Sequence, residues 1–214
     1  MMSRRWLSER RSDPYHRKAK EKGYRSRAAF KLKQLNKRFN FLDGANYVLD
    51  LGAAPGGWLQ VASEAIGEEG LVVGVDLERI RPLLLKNVKT LIGDVTDEET
   101  VKQIIDAFPD RVDVVLSDMS PDISGVWEVD HMRQIHLTRK AMRIAEGILK
   151  PDGWLVLKVF QGSDYGKFLE EVRDIFSFVR VVKPPASRKG SAEVYVVAQG
   201  LKSDRSVSGS PGFI

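Results

Sequence analysis

VLDLGAAPGGW, residues 48–58, joins a short apolar run directly to a glycine-rich turn. The apolar run is typical of a buried parallel strand, and residues 58–66 carry apolar side chains at helical spacing. A turn between a strand and a helix N-terminus presents backbone N–H groups and the positive end of the helix dipole. The stretch therefore predicts a ligand-binding turn in an α/β fold, with a tight turn that holds no ligand as the open alternative.

Two common nucleotide-binding motifs do not fit this turn. A phosphate-binding P-loop has Lys followed by Ser or Thr after its last glycine, whereas Trp58 follows Gly57. The G-x-G-x-x-G fingerprint of dinucleotide-binding proteins is also missing, because residues 53–55 separate Gly52 from Gly56. The turn therefore favours a ligand other than a triphosphate or a nicotinamide dinucleotide.

The composition is that of one globular domain. The chain has 214 residues, of which 43% are hydrophobic, and no apolar run approaches the ~20 residues of a membrane span. The basic N-terminus lacks the apolar segment of a secretory signal, so we expect a cytoplasmic protein. We also expect a monomer. The absence of cysteine excludes disulfides and thiolate chemistry. The histidines lack metal-ligand spacing, so we expect no metal site.

Positive charge is concentrated at the N-terminus. Residues 1–40 carry 14 Lys or Arg against 3 Asp or Glu, whereas the other 174 residues carry 20 against 26. Interleaved aromatic residues make this pattern typical of nucleic-acid binding, although a merely solvated basic segment is the alternative. We predict a basic nucleic-acid-binding arm over residues 1–25, a folded domain over 26–200 and a disordered tail over 201–214. The candidate RNA-binding residues are Arg4, Arg5, Arg10, Arg11, Arg25, Arg27, Arg188 and Lys189.

Strand and helix patterns alternate along the chain, which predicts an α/β fold with helices on both faces of a mostly parallel sheet. The last two predicted strands are joined by a loop too short for a crossover, so we expect that pair to be antiparallel. Strands are predicted at 47–51, 71–75, 88–92, 112–117, 153–159, 178–182 and 193–198, and helices at 26–39, 57–66, 79–86, 97–107, 130–149 and 164–176.

Aspartates lie at the ends of four predicted strands: Asp50, Asp76, Asp94 and Asp118. Ligands of such sheets bind beyond the carboxyl ends of the strands, so these carboxylates are expected on one rim. Asp76 lies 20 residues after Gly56, at the spacing of an acidic residue that binds a ribose diol. An acidic rim disfavours polyphosphates and suits S-adenosyl-L-methionine, which has a sulfonium and no phosphate. Taken singly, each Asp could instead be a turn or cap residue.

Four segments resemble the FtsJ/RrmJ family of S-adenosylmethionine-dependent RNA 2′-O-methyltransferases. They are SRAAFKL at 26–32, DLGAAPGGW at 50–58, DMSP at 118–121 and LKVF at 157–160. The resemblance extends over about residues 15–198. It implies a Rossmann-like class I methyltransferase fold of seven strands with the last inserted antiparallel, S-adenosyl-L-methionine as cofactor, and a uridine of large-subunit rRNA as substrate within the large ribosomal subunit.

The resemblance also implies site residues. The family's catalytic tetrad falls on Lys31, Asp118, Lys158 and Glu193. Asp76 would bind the ribose hydroxyls, Asp94 the adenine amino group, and Asp118 would lie near the sulfonium. The cofactor-binding residues expected in this way are Asp50, Gly52, Pro55, Gly56, Gly57, Trp58, Asp76, Leu77, Asp94, Val95 and Asp118.

The resemblance and the chemistry together assign roles to the tetrad, because on sequence alone Lys158 is better interpreted as a strand-end lysine whose amine extends to water. A ribose 2′-hydroxyl is a poor nucleophile, so the enzyme must orient it and help remove its proton. Lys158, on a predicted core strand, is the candidate general base, with Lys31 as a neighbouring cation. Asp118 is expected to orient Lys158, and Glu193 to position Lys31 or the ribose.

Three alternatives stay open. A tRNA anticodon loop is the substrate of related family members. A nicotinamide oxidoreductase would share the Asp after the second strand but requires the missing glycine fingerprint. A non-catalytic RNA-binding protein of ribosome assembly would need neither Lys158 nor the acidic rim. Amino-group and pyrimidine C5 methyl transfer are disfavoured, because the chain lacks an N/D-P-P-Y/F motif and any cysteine.

Overall fold

The computed structural model describes residues 13–202, which form one seven-stranded sheet with helices on both faces. The predictions for Arg4, Arg5, Arg10, Arg11 and nearly all of the tail over 201–214 lie outside the described residues. Within residues 13–202, none of the helices is both long enough and apolar enough to cross a membrane.

Thirteen elements occur along the described part of the chain. The strands are β1 Tyr47–Leu51, β2 Leu71–Asp76, β3 Val88–Ile92, β4 Val112–Ser117, β5 Leu149–Phe160, β6 Phe176–Val182 and β7 Glu193–Leu201. The helices are α1 Pro14–Glu21, α2 Ala28–Phe39, α3 Gly57–Ile66, α4 Glu98–Asp106, α5 Trp127–Ile148 and α6 Tyr165–Ile175.

The strand order is β3-β2-β1-β4-β5-β7-β6, which confirms the predicted fold class. Neighbouring strands from β3 to β5 pair in parallel, whereas β7 pairs antiparallel with both β5 and β6. The segment between β6 and β7 is too short for a crossover helix, so β7 returns antiparallel and inserts beside β5. This insertion brings the first residues of β7 to the carboxyl end of β5.

Each face of the sheet has its own apolar core. Helices α2 and α3 cover one face and bury Leu32 and Leu59 there, while α4, α5 and α6 cover the other and bury Ile104, Ala141 and Phe168. Burial on both faces explains why the strands read as apolar runs rather than as alternating patterns. The sheet is therefore a rigid support for whatever projects from its carboxyl edge.

The helix predicted at residues 79–86 does not form, and this prediction is wrong. Pro82 interrupts the segment, and proline removes a helical N–H donor and clashes with the preceding turn. Instead of forming helical hydrogen bonds, the carbonyl oxygens of Arg81 and Pro82 accept hydrogen bonds from the Arg25 guanidinium. The loop between β2 and β3 is thus attached to the segment before α2.

Helix α1, by contrast, lies inside the predicted basic arm and was not expected. Asp13 caps it by accepting hydrogen bonds from the backbone N–H of Tyr15 at 2.9 Å and of His16 at 3.3 Å. Pro14 occupies the first turn, where its missing N–H has no helical partner to lose. Ala19 is the buried residue of this short helix, so the hydrophobic pattern that normally reveals a helix is weak.

Candidate active site

A cavity of about 350 Å³ opens at the carboxyl edge of the sheet, beside the ends of β1 to β4. It combines carboxylates with apolar side chains, as small-molecule sites do. Its lining includes Gly52, Ala54, Val75, Asp76, Leu77, Gly93, Asp94, Val95, Asp118, Met119 and Leu137. Six of the predicted cofactor residues therefore line one cavity: Gly52, Asp76, Leu77, Asp94, Val95 and Asp118.

The glycines of the turn lie against neighbouring parts of the protein. Gly52 has a φ of +76°, and a Cβ there would approach Met119 Cγ to 2.6 Å, so glycine is required by both backbone and space. Gly56 has a φ of +106°, and Gly57 begins α3 against the Ser26 side chain. These glycines allow β1, the loop after β4 and the segment before α2 to meet at the cavity.

Two predicted residues of the turn form hydrogen bonds with the segment around α2. Trp58 is buried, and its indole Nε1 donates a hydrogen bond to the carbonyl oxygen of Ala28 at 2.8 Å. The carbonyl oxygen of Pro55 accepts a hydrogen bond from the Arg25 guanidinium at 3.1 Å. The predicted RNA-binding residue Arg25 thus donates to the carbonyls of Pro55, Arg81 and Pro82.

Asp76 and Asp94 stand on the cavity rim as hydrogen-bonded carboxylates. Asp76 accepts from the backbone N–H of Ala54 at 2.8 Å and of Glu78 at 2.9 Å. Asp94 accepts from the N–H of Thr96 at 2.8 Å and from its hydroxyl at 2.7 Å. The hydrogen bond from the Thr96 backbone, followed by that from its hydroxyl, lowers the pKa of Asp94. This carboxylate is therefore negatively charged at neutral pH.

Asp50 has a different environment. Its side chain is fully buried, and neither carboxyl oxygen has a hydrogen-bond partner among the described residues. Burial raises the pKa of Asp50 well above its usual range, and the nearby Asp118 and Asp76 raise it further. Asp50 faces the core beneath the cavity instead of lining the cavity wall.

The four residues of the predicted tetrad meet in two ion pairs. Lys158 Nζ donates to the Asp118 carbonyl oxygen at 2.5 Å and lies 3.3 Å from its carboxylate Oδ1. Lys31 Nζ lies 2.8 Å from each carboxylate oxygen of Glu193. All four side chains are at most 16% exposed, so the two pairs are shielded from solvent, and Asp118 is the member of the four that also lines the cavity.

Tyr195 connects the two pairs. Its hydroxyl donates to Asp118 Oδ1 at 2.7 Å and accepts from Lys31 Nζ at 3.1 Å. The β5–β7 register places Tyr195 directly opposite Lys158. Sequence reasoning missed this residue, because a tyrosine in an apolar strand resembles core packing. Its position two residues after Glu193, on the same side of a strand, was the available signal.

The charges of this cluster depend on one another. Burial raises the pKa of Asp118, but the positive charges of Lys158 and Lys31 and the Tyr195 hydrogen bond more than offset it, leaving the pKa below its ordinary value. Burial, with the negative charges of Asp118 and Glu193, raises the pKa of Tyr195 well above its usual range. Asp118 is therefore ionised at neutral pH, and Tyr195 is a neutral phenol that can donate to it.

A basic groove adjoins the cluster on the α2 side. A cavity of about 270 Å³ is lined by Arg27, Lys31, Arg188 and Glu193, and a neighbouring one includes Lys189. Arg27 forms an ion pair with Asp13 and donates to the Ala186 carbonyl oxygen. Arg27 and Arg188 line the same cavity, and burial, with the positive charge of Arg188, lowers the pKa of Arg27. Such an arrangement suits a phosphate group.

Comparison with known proteins agrees with this geometry. The model of the FtsJ-like methyltransferase family matches residues 24–201. This chain belongs to the FtsJ-like methyltransferase family. The match begins before α2 and ends with β7, so it includes both ion pairs, Tyr195 and the glycine turn.

Two curated relatives that are similar to this chain carry the name ribosomal RNA large subunit methyltransferase E. The protein from Methanothrix thermoacetophila is 53% identical over 197 residues, which cover 92% of this chain and 76% of that protein. The protein from Methanococcus vannielii is 52% identical over 196 residues, with the same coverage of both chains.

A solved structure from Plasmodium falciparum, described as a ribosomal RNA methyltransferase, matches with a TM-score of 0.72 and 26% identity. The match covers 83% of this chain and 98% of that chain. The sequence-based assignment of the fold and the family is therefore confirmed.

Proposed function

We propose that this FtsJ-like methyltransferase transfers a methyl group from S-adenosyl-L-methionine to a ribose 2′-hydroxyl, that of a uridine in large-subunit rRNA. The observation that carries the proposal is the continuous set of contacts from Lys31 through Tyr195 and Asp118 to Lys158. Asp118 also lines the cavity, so the proton-handling groups adjoin the candidate cofactor site. The names of the close relatives support rRNA as the substrate.

The cavity fits S-adenosylmethionine in size and charge. Its volume of about 350 Å³ lies within the range of small-molecule sites. Asp76 and Asp94 would bind the ribose hydroxyls and the adenine amino group, and the carboxylate of Asp118 would lie near the positive charge. When bound, this cofactor supplies an activated methyl group on a sulfonium.

Lys158 would accept the proton of the 2′-hydroxyl. Its Nζ is held by two oxygens of Asp118, so the amine has a fixed position at the cavity mouth. An ammonium also donates to such oxygens, so Lys158 must release a proton before it can accept one. A fixed amine within hydrogen-bond reach of the hydroxyl would orient the attacking oxygen as well as deprotonate it.

The other members of the cluster would act as positioning residues. Ser187 Oγ donates to Glu193 at 2.7 Å, and Glu193 in turn holds Lys31. Lys31 and Tyr195 then fix the carboxylate of Asp118 against Lys158. On the same side, Arg27 and Arg188 would hold RNA phosphates and bring the target ribose to this cluster.

The experiment is methyl transfer with Lys158→Ala, and Lys150→Ala is its matched control. Lys150 is also on β5 and also pairs with an aspartate, 2.6 Å from Asp113, but far from the cavity. General acid–base catalysis contributes about 10²- to 10⁴-fold. We expect Lys158→Ala to lose activity by that factor, with S-adenosylmethionine affinity measured by calorimetry unchanged.

Two results would contradict the role of Lys158. One is parallel loss of cofactor binding and activity, which would make Lys158 a binding residue. The other is an equal loss of activity in Lys150→Ala, which would indicate general damage to β5. If the unmodified enzyme binds the cofactor but methylates none of the RNAs offered, the proposed function itself fails.

A further inference from the structure

Trp127, the first residue of α5, exposes an aromatic surface close to the tetrad. It is 45% exposed, although a ring of this size normally buries most of its surface. The indole stacks on His131 with a centroid distance of 5.9 Å and an angle of 19°. It also stacks on Phe160 at 6.1 Å and 25°. One part of the ring is thus packed on aromatic neighbours while the other faces solvent.

The neighbours of Trp127 are fixed in place. His131 is 1% exposed, and its Nε2 accepts a hydrogen bond from the backbone N–H of Asp164 at 3.1 Å. A Cβ on Gly162 would lie 2.7 Å from the His131 ring, so the loop after β5 closes tightly over the imidazole. Phe160 is the last residue of β5. The exposed indole is therefore presented by a rigid support.

Connectivity places this support beside the catalytic cluster. Phe160 is two residues beyond Lys158 on β5, and the β5–β7 register sets it opposite Glu193. Two helical turns after Trp127, the Gln134 side chain donates to the carbonyl oxygen of Lys158 at 3.0 Å. Trp127 is nevertheless not among the residues that line the cavity of about 350 Å³. Its exposed face therefore lies outside the candidate cofactor cavity.

We propose that Trp127 stacks against an unpaired nucleobase of the RNA substrate, at or next to the target ribose. This inference rests on the proposed function. A ribose held at Lys158 must carry its base out of any helical stack, and proteins bind such bases on aromatic faces. The exposed acidic residues Asp122 and Glu128 nearby disfavour phosphates here. The division is then clear: Arg27 and Arg188 take the phosphates, and Trp127 takes the base.

Four variants test the stacking role in methyl transfer to free, unmodified large-subunit rRNA. Trp127→Ala removes the ring, Trp127→Leu keeps apolar bulk without a ring, and Trp127→Phe keeps an aromatic face. Met132→Ala is the control, because Met132 is on the same helix and is 61% exposed but has no ring. Initial rates are measured over a range of RNA concentrations, together with thermal unfolding and cofactor affinity for each variant.

Base–aromatic stacking is worth enough that its loss lowers RNA affinity by about 5- to 100-fold. We expect kcat/KM to fall by that factor in Trp127→Ala and Trp127→Leu, mainly through KM for RNA. Trp127→Phe should recover most of the loss, and Met132→Ala should behave like the unmodified enzyme.

Several results would overturn the stacking role. The first is a near-normal KM for RNA in Trp127→Ala or a loss in that variant that is confined to kcat. The second is full activity in Trp127→Leu or an equal defect in Met132→Ala. The third is a defect of Trp127→Ala that is seen only with intact ribosomal subunits, which would indicate a protein contact. If Trp127→Ala unfolds, the comparison of Trp127→Leu with Trp127→Phe decides. Failure of the unmodified enzyme to methylate RNA would instead reject the proposed function.

Discussion

At the scale of single residues, Tyr195 shows how one hydroxyl can form hydrogen bonds with two charged side chains. It is buried, it donates to Asp118 and it accepts from Lys31. Because its pKa is raised, the hydroxyl keeps its proton at neutral pH and keeps donating. The consequence is that Asp118 remains aligned with Lys158 instead of turning toward Lys31.

Tyr195→Phe tests this role. The ring still packs on Trp58, but Asp118 loses a donor and Lys31 an acceptor. Hydrogen bonds to charged groups are worth about 1.5–3 kcal/mol. We expect kcat to fall by roughly 10-fold or more, with cofactor affinity unchanged, as measured by methyl-transfer rates and calorimetry.

Tyr24→Phe is the control for the loss of a buried phenol. Tyr24 donates to Glu64 at 2.6 Å, away from the cavity. Its removal is expected to leave kcat unaltered. Unchanged kcat in Tyr195→Phe as well would show that the phenol is not part of the catalytic arrangement.

At the scale of elements, Asp113 on β4 joins the beginnings of three strands. Its carboxylate accepts from the backbone N–H of Asn46 at 2.9 Å and of Tyr47 at 2.8 Å, and pairs with Lys150 at 2.6 Å. Burial raises the pKa of Asp113, but these hydrogen bonds more than offset it, so the pKa is lowered. The ionised form therefore stabilises the fold.

Asp113→Asn is expected to lower the free energy of unfolding by about 1–3 kcal/mol at pH 7. Since the folded pKa is below the unfolded value, the stabilisation is present above the unfolded pKa and is lost as pH falls through the folded pKa. Urea titrations at pH 7 and at about pH 3 should therefore show a smaller difference in acid.

Asp152→Asn, an exposed carboxylate on β5, is the control and should change little at either pH. A difference between Asp113→Asn and the unmodified protein that is the same at both pH values would contradict a charge effect.

The elements also show what sequence patterns can and cannot reveal. Apolar runs located β1 and β4 with their observed bounds, because burial on both faces leaves a strong signal. The bounds of β3 were also predicted, although its residues are only partly buried or exposed. Helix α1 was missed although Asp13 and Pro14 form a recognisable N-terminal cap, since its charged composition concealed it. The segment 79–86 was assigned to a helix despite Pro82. The same-side position of Tyr195, two residues after Glu193, was available in the sequence, but its place opposite Lys158 depends on the β5–β7 register, which a sequence does not contain.

At the scale of the whole molecule, positive and negative charges are concentrated in different parts of the chain. The N-terminal 40 residues are strongly basic and the remainder is acidic overall, and the cavity is lined by the carboxylates of Asp76, Glu78, Asp94, Asp118 and Asp122. A polyanion is therefore attracted to one region and a cation to another. The tetrad lies where the two regions meet, because Lys31 comes from α2 and Asp118 from the end of β4.

Neutralising Arg4, Arg5, Arg10 and Arg11 together with glutamine tests the predicted arm. Each phosphate contact contributes about 0.7–0.9 to the slope of log affinity against log salt. If all four residues bind phosphates, the slope should become shallower by about 3, measured by filter binding of rRNA over a range of salt concentrations. An unchanged slope would show that these arginines do not contact the RNA.

The most direct measurement is transfer of labelled methyl from S-adenosylmethionine to three acceptors: unmodified large ribosomal subunits, free large-subunit rRNA and total tRNA. The account predicts label in large-subunit rRNA that survives alkaline hydrolysis as a 2′-O-methyl uridine dinucleotide and is incorporated about 10²- to 10⁴-fold more slowly by Lys158→Ala. Label in tRNA alone would contradict the proposed substrate, and label on a base would contradict the ribose chemistry. Bound cofactor with no label in any acceptor would contradict the proposed activity.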